Sequence, residues 1–69
     1  MKISARNQLK GQVVSIEKGA VNAVVGIDIG GGNVISSTIS VAAVEELELA
    51  VGKTAYAIIK ATSVMVGVE

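Results

Sequence analysis

One segment of the chain alternates more regularly than any other and sets the class of fold. Every odd-numbered position in it is apolar, and these positions are Val21, Ala23, Val25, Ile27 and Ile29. Because successive side chains of a strand point to opposite faces, this pattern predicts a β-strand with one buried face. We therefore expect the core of the protein to be built on a β-sheet.

The segments around this strand predict further strands joined by tight turns. Residues 12–18 resume a strand pattern after Gly11, which we expect to break the opening segment. The pair Gly19 and Ala20 predicts a tight turn, and the glycines and asparagine of residues 30–33 predict a hairpin turn. The returning strand is predicted over residues 34–41.

The spacing of apolar residues then changes from two to three. This change predicts a short helix over residues 41–49, with Ser40 placed to cap its start and Gly52 placed to end the following turn. Strand patterns return over residues 53–61 and 63–68.

This order of elements is typical of one architecture. We predict an all-β fold, an OB-fold-like five-stranded barrel with one short helix between strands 3 and 4 and an N-terminal strand-like arm. An SH3-like barrel and a small open sheet are the competing architectures.

The composition indicates how such a small domain is stabilised. Cys, His and Pro are absent from the 69 residues, so disulfides and Cys/His zinc sites are excluded. Tyr56 is the only aromatic residue, and we expect it in the core or at an interface. Since 51% of the residues are hydrophobic, more than one small core can hide, we expect the chain to oligomerise.

The net charge limits the classes of partner that the chain is expected to bind. A formal net charge of zero argues against a general nucleic-acid or membrane-surface binder. No signal peptide and no apolar run long enough to span a membrane are visible, so we expect a cytoplasmic location.

The opening segment carries donors and positive charge without an acid. At a strand's period of two, one face presents Lys2, Ser4, Arg6, Gln8 and Lys10, and no carboxylate precedes Glu17. Such a face suits an oxyanion, which is bound by hydrogen-bond donors and positive charge and repelled by carboxylates. A charged edge strand protected from aggregation is an equally good explanation from alternation alone.

Lys60 adds weight to the anion hypothesis. It is the only charged residue between Lys53 and Glu69, and it lies in an aliphatic strand pattern. A lone lysine there either reaches water or meets an anion. Hydroxyl donors and the N–H groups at the start of the predicted helix could assist; the hydroxyls are those of Ser36, Ser37, Thr38, Ser40 and Ser63.

Catalysis finds little support in the sequence. The chain has no His or Cys, and a nucleophilic Ser would find only Lys as a base, so we expect no enzyme. Residues 26–32 resemble the first phosphate loop of the actin and sugar-kinase ATPases, but the chain has no room for their two lobes, and a hairpin explains the glycines. The three glutamates of residues 45–48 diverge around a helix and predict a solvated face.

Four blocks of the sequence resemble one known family, the Mop domains, and especially its stand-alone members, the molbindins or "molybdopterin-binding proteins". The blocks are SARNQLKG at residues 4–11, GAVNAVV at 19–25, VEELELAVG at 44–52 and IIKATSVM at 58–65. Together they cover essentially the whole chain, in the order and at the spacing of the family. Residues 1–69 are thus identified as a single Mop domain.

The resemblance implies a function and an assembly. Members of this family bind molybdate, and tungstate, at subunit interfaces of a homohexamer that is built as a trimer of dimers. We therefore expect the chain to have neither nucleic acid nor membrane as a partner. No metal cation is ligated by side chains, because the metal enters as an oxyanion. Storage, buffering or delivery of molybdate is the expected role.

The resemblance also implies site residues. Oxyanion ligands carry over to Ser4, Arg6 and Lys60, with backbone N–H groups near Ala5 and Ala61, and we expect Lys60 to come from a neighbouring subunit. Another family hydroxyl aligns with Ser40, whereas the serine often found three residues later is replaced here by alanine. A second class of anion site is assigned to the turn of Gly19, Ala20 and Val21.

Two functions of other classes stay open at this point. One is a structural oligomerisation module in which the Arg6 face serves pairing between subunits. The other is an OB-type nucleic-acid-binding domain, which would need stacking aromatics and a basic groove.

Overall fold

The computed structural model describes residues 1–69 as one four-stranded antiparallel sheet with one short α-helix. The elements along the chain are β1 (Asn7–Lys18), β2 (Asn22–Gly30), β3 (Asn33–Ser40), α1 (Val41–Glu46), β4 (Thr54–Ile59) and a 3₁₀ turn (Ala61–Ser63). The order across the sheet is β3-β2-β1-β4, and every neighbouring pair is antiparallel. The sheet curls into a half-barrel whose free edges are β3 and β4.

Strand β1 is long enough to pair with two neighbours. Residues 7–12 pair with β4, and the ladder with β2 begins at Gln12. The predicted break at Gly11 is wrong, because the arm and the first strand form one continuous strand. Glycine is needed there for another reason: a Cβ on Gly11 would overlap the carbonyl oxygen of Asp28. The absent side chain lets β2 approach closely where β1 passes from one partner to the other.

The glycine-rich segment forms the predicted hairpin turn. Gly31 and Gly32 both have positive φ, at 63° and 80°, as a two-residue hairpin turn requires. Asp28 Oδ1 accepts a hydrogen bond of 2.8 Å from the Gly30 N–H, and the side-chain amide of Asn33 donates to the Gly30 carbonyl at 3.3 Å. The segment therefore joins β2 to β3.

Helix α1 begins where the sequence predicts and ends three residues earlier. Ser40 Oγ accepts a hydrogen bond of 3.0 Å from the Ala43 N–H, which confirms the predicted cap. After the helix, Lys53 Nζ donates to the carbonyls of Leu47 and Glu48 at 2.9 and 3.0 Å and satisfies acceptors that the helix end leaves free. No helix in the chain combines the length and apolar composition needed to cross a membrane.

The predicted fifth strand is wrong. After the 3₁₀ turn Ala61–Ser63 the chain has no regular structure, and Met65, Val66 and Val68 are 92%, 91% and 94% exposed. Alternation predicts which face of a strand is apolar, but not which sheet edge supplies its hydrogen bonds. The all-β class holds, with four strands in place of five and an open side between β3 and β4.

The core lies against the concave face of the sheet and is small. Of the five apolar odd-numbered positions between residues 21 and 29, three are buried in β2. Val21, which lies just before β2, is 71% exposed. The helix adds one residue and β4 another. The complete buried hydrophobic set is Val13, Ala23, Val25, Ile27, Val44 and Ala57.

The folded chain exposes more surface than its mass requires. Its accessible area is 5248 Å², whereas a compact monomer of this size exposes about 4,000 Å². The radius of gyration is 12.6 Å, against about 11 Å for a compact domain of this length. Fourteen large hydrophobic side chains are exposed. The sequence-based argument that one core cannot hide the apolar residues thus applies to the folded chain.

Substituting Gly11→Ala tests the close approach of β1 and β2. We expect a loss of about 1–3 kcal/mol, because the added methyl group must displace backbone, and hence a thermal midpoint lower by about 4–24 °C. Gly67→Ala is the matched control, since a Cβ there meets no atom within 4 Å. Differential scanning calorimetry at one protein concentration measures both, and equal midpoints for the two variants would contradict the steric argument.

Candidate functional site

The pairing of β1 with β4 brings the two ends of the chain together at one side of the sheet. Asn7 lies opposite Ile59 in the first pair of this ladder, so the residues just outside it are neighbours. They enclose a cleft of about 250 Å³. The six residues that line it are Ser4, Ala5, Arg6, Lys60, Ala61 and Thr62. Five of these six are predicted oxyanion-binding residues.

Residues 4–6 form the first wall of the cleft, and two amide side chains hold this wall in place. Asn7 Nδ2 donates to the Ile59 carbonyl at 3.2 Å, a bond between residues 52 positions apart. Gln8 Nε2 donates to the Ala5 carbonyl at 2.8 Å and closes a local turn. Gln8, expected on the donor face, therefore uses its amide to shape the backbone that presents Ser4 and Arg6.

The second wall is the 3₁₀ turn Ala61–Ser63. Its bonds run from the Ser63 N–H to the Lys60 carbonyl at 2.9 Å and from the Val64 N–H to the Ala61 carbonyl at 3.3 Å. Because a helical turn leaves its first N–H groups without a partner inside the turn, the backbone N–H groups of Ala61 and Thr62 are free to donate to a ligand.

The charge of the cleft suits an anion. Arg6 supplies a planar fork of N–H donors and Lys60 an ammonium group, both exposed to solvent, and Ser4 and Thr62 add hydroxyls. None of the six lining residues is acidic. No cluster of three or more His, Cys, Asp or Glu side chains is present that could hold a metal cation. The donor set therefore favours a compact oxyanion over a cation.

The cleft differs from the predicted site in two respects. Lys60 lies beside Ser4 and Arg6 in the same chain, so a neighbouring subunit is not needed to supply it, contrary to our expectation. Thr62 was missed by the sequence reasoning. The signal was present, because Thr62 is a hydroxyl residue that directly follows the predicted pair Lys60 and Ala61.

Ser40 lies away from the cleft. It pairs with Asn22 at the last position of the β2–β3 ladder, which is the opposite end of the sheet from Asn7. Its hydroxyl oxygen accepts the hydrogen bond that caps α1. Within one chain Ser40 therefore acts as a helix cap, and the cleft is formed without it.

The residues predicted for a second class of anion site form the turn between β1 and β2. The Gly19 N–H donates to the Asn22 carbonyl at 2.7 Å, and the Val21 carbonyl accepts from the Val41 N–H at 2.8 Å. Gly19, Ala20 and Val21 thus lie near the start of α1 and do not line the cleft.

Comparison of the sequence with known families and proteins gives consistent matches. The TOBE domain family matches residues 3–66. A "probable molybdenum-pterin-binding protein" of Haemophilus influenzae is 83% identical over 69 residues, which is the whole of both chains. "Molybdenum-pterin-binding protein 1" of Clostridium pasteurianum is 53% identical over 66 residues, covering 96% of this chain and 97% of the relative.

Solved structures of similar proteins share the fold. MopII from Clostridium pasteurianum matches with a TM-score of 0.90 and 51% identity, over 97% of this chain and all of the other. A molybdate-binding protein from Sporomusa ovata matches with 0.88 and 38%, over 96% and 97%. The cytoplasmic molybdate-binding protein ModG, in a form with molybdate bound, matches with 0.84 and 49%, over 88% of this chain and 43% of ModG. The predicted OB-like fold is thereby confirmed.

Substituting Ser40→Ala tests whether the Ser40 hydroxyl stabilises the protein as the cap of α1. Loss of the bond to the Ala43 N–H should cost about 1 kcal/mol and lower the thermal midpoint by about 4–8 °C. Ser40→Asp should recover most of the loss, because aspartate caps equally well. Thermal unfolding without added anion measures the effect, and an unchanged midpoint for Ser40→Ala would rule out the cap.

Proposed function

The chain belongs to the TOBE domain family, among relatives named molybdenum-pterin-binding proteins, and we propose that it binds molybdate in the cleft between Ser4, Arg6 and Lys60. The observation that carries the proposal is the meeting of two cations, two hydroxyls and a turn of backbone N–H groups in one cleft without an acid.

The chemistry of the anion matches this donor set. Molybdate is a compact tetrahedral dianion with four acceptor oxygens. Hydrogen bonds from Arg6 and Lys60 to it are charge-assisted and hence the strong ones, while neutral donors complete the shell. The cleft, about 250 Å³, is smaller than the roughly 300–1,000 Å³ of sites for drug-sized ligands. The lining also contains no aromatic side chain on which an organic cofactor could stack.

The proposal extends to tungstate, which has the same charge and shape. Nothing in the cleft needs to act chemically on the anion, so the proposed role is binding for storage, buffering or delivery of molybdate in the cytoplasm. Two similar proteins support it: the Sporomusa ovata protein is a molybdate-binding protein, and ModG is a cytoplasmic molybdate-binding protein whose structure contains molybdate.

We also propose that the chain assembles as a homohexamer, a trimer of dimers, with anion sites at its interfaces. The surplus accessible surface and the fourteen exposed large hydrophobic side chains support association. Within such an assembly Ser40 of one subunit can approach the cleft of another, and the turn of Gly19, Ala20 and Val21 can form the second class of site.

Titration calorimetry separates this function from the alternatives. We expect heat with molybdate and tungstate. A structural oligomerisation module would give none with these anions or with sulfate and phosphate, and an OB-type nucleic-acid module would respond to an oligonucleotide instead.

Substituting Arg6→Ala tests the main ligand. Because a hydrogen bond to a charged group contributes about 1.5–3 kcal/mol, we expect molybdate to bind about 10- to 150-fold more weakly. The oligomer should stay largely folded, since Arg6 is exposed and precedes the sheet. Lys60→Ala should weaken binding in the same direction.

Lys2→Ala is the matched control for Arg6→Ala. It removes a positive charge from the same segment, but Lys2 does not line the cleft. Its affinity for molybdate should stay within about twofold of the parent. If Arg6→Ala bound molybdate as tightly as Lys2→Ala does, Arg6 would not be a ligand.

A further inference from the structure

Asn7 is a polar residue on the inward-facing side of the sheet. At a strand's period of two it shares a face with Ala5 and Leu9, and all three are half-buried, whereas residues 4, 6 and 8 are exposed. An apolar side chain at this position would pack against the same neighbours without an amide that needs a partner. The packing of the sheet therefore does not account for an asparagine there.

The Asn7 amide bonds to the strand opposite. Its Nδ2 donates to the Ile59 carbonyl at 3.2 Å, and the same two residues face each other in the register of β1 and β4. Since β1 begins at Asn7 and β4 ends at Ile59, the bond lies at the last pair of this ladder. It joins the two strands at the point where their pairing stops.

The Asn7–Ile59 bond is one residue away from each cation of the cleft. Arg6 directly precedes Asn7, and Lys60 directly follows Ile59. The two positive charges repel each other, and strand pairs open most easily at their ends. A hydrogen bond across the last pair opposes both effects, so it limits how far the two walls of the cleft can separate.

The other hydrogen bonds of the walls stay within one wall. Gln8 Nε2 donates to the Ala5 carbonyl at 2.8 Å in the first wall, and the Ser63 N–H donates to the Lys60 carbonyl at 2.9 Å in the second. Among the side-chain hydrogen bonds of the chain, that of Asn7 alone joins residues that adjoin both walls. The spacing of the walls therefore depends on Asn7 more than on any other side chain.

We propose that Asn7 is a positioning residue that selects the anion by size, because it fixes the spacing between Arg6 and Lys60. Sulfate, selenate and molybdate are tetrahedral dianions whose bonds from the central atom to oxygen lengthen in that order. Two walls held at one spacing bind one size in this series best. The inference rests on the proposed function, since it takes the cleft as the anion site.

A fixed spacing changes selectivity as well as affinity. Donors that are already held near their bound geometry lose little freedom when the matching anion enters. A smaller anion reaches both cations only if the walls approach each other, which strains the end of the ladder. Selectivity is the difference between two binding free energies, so it includes the cost of that approach. Without the Asn7–Ile59 bond the walls adjust to each anion, and the difference becomes smaller.

Substituting Asn7→Leu tests the proposal, because leucine is close to asparagine in size and suits the apolar face but donates no hydrogen bond. Titration calorimetry at constant ionic strength measures molybdate directly, and selenate and sulfate by displacement of molybdate. We expect molybdate to bind about tenfold more weakly and sulfate to stay within about twofold, so that the ratio of the two affinities falls about fivefold or more. Asn7→Ala, which also lacks the donor but packs differently, should lower the ratio equally.

Gln12→Leu is the matched control. Gln12 lies in the same strand, at the far end of the β1–β4 ladder, and its Nε2 donates to the Gly52 carbonyl at 3.0 Å. Because Asn7→Leu and Gln12→Leu each remove one bond from a side-chain amide to a carbonyl, both should lower the thermal midpoint by a similar amount, about 4–8 °C. Only Asn7→Leu should change the ratio of affinities, since Gln12 is far from the cleft.

The ratio of affinities decides the outcome. A parental ratio in Asn7→Leu and Asn7→Ala, an equal loss of affinity for all three anions, or the same fall in Gln12→Leu would each overturn the positioning role. The proposed function is read separately: it fails if the parent binds none of the anions or if Arg6→Ala binds molybdate as the parent does. Binding that depends on Arg6, with a parental ratio in the Asn7 variants, removes only the role of Asn7.

Discussion

The candidate site depends on the antiparallel pairing between the start of β1 and the end of β4. This ladder, beginning with Asn7 opposite Ile59, brings together two segments from the two ends of the chain. It also holds two positive charges near each other, and like charges repel even in water. The backbone hydrogen bonds and the Asn7 amide offset that repulsion. A dianion between Arg6 and Lys60 would relieve it, so the pairing that stabilises the sheet also creates the cleft in which we propose that the oxyanion binds.

The sequence predicts which residues line the cleft better than it predicts the pairing of the strands. Alternation at the opening segment and the isolation of Lys60 single out groups that the structure brings together, and the family resemblance is confirmed by close relatives. The alternation within a strand, however, does not show which other strand it pairs with, or in which register. Gly11 appears as a break because its steric role depends on Asp28, a residue of another strand. The partner of Lys60 was assigned to another subunit because the β1–β4 register is not readable from either segment alone.

The fold buries few of its hydrophobic side chains within one chain. Six hydrophobic side chains form its core, while the groove between β3 and β4 and the apolar tail are exposed. Valine alternation at residues 64–68 predicted a strand, and within one chain that strand does not form. A period-two pattern of valines shows which side chains share a face, but it carries no information about the strand edge that would supply the hydrogen bonds. Ser40 was predicted as a cap and also as an oxyanion ligand, and within one chain the structure shows the cap.

The central claim is that the cleft between Ser4, Arg6 and Lys60 holds the anion. A crystal structure grown with tungstate tests it most directly, because the heavy atom gives an anomalous signal that locates the anion independently of any interpretation. The account predicts a peak in the cleft, with tungstate oxygens at hydrogen-bond distance from the Arg6 guanidinium and Lys60 Nζ. Ordered tungstate elsewhere on the protein, with the cleft filled only by water, would contradict it.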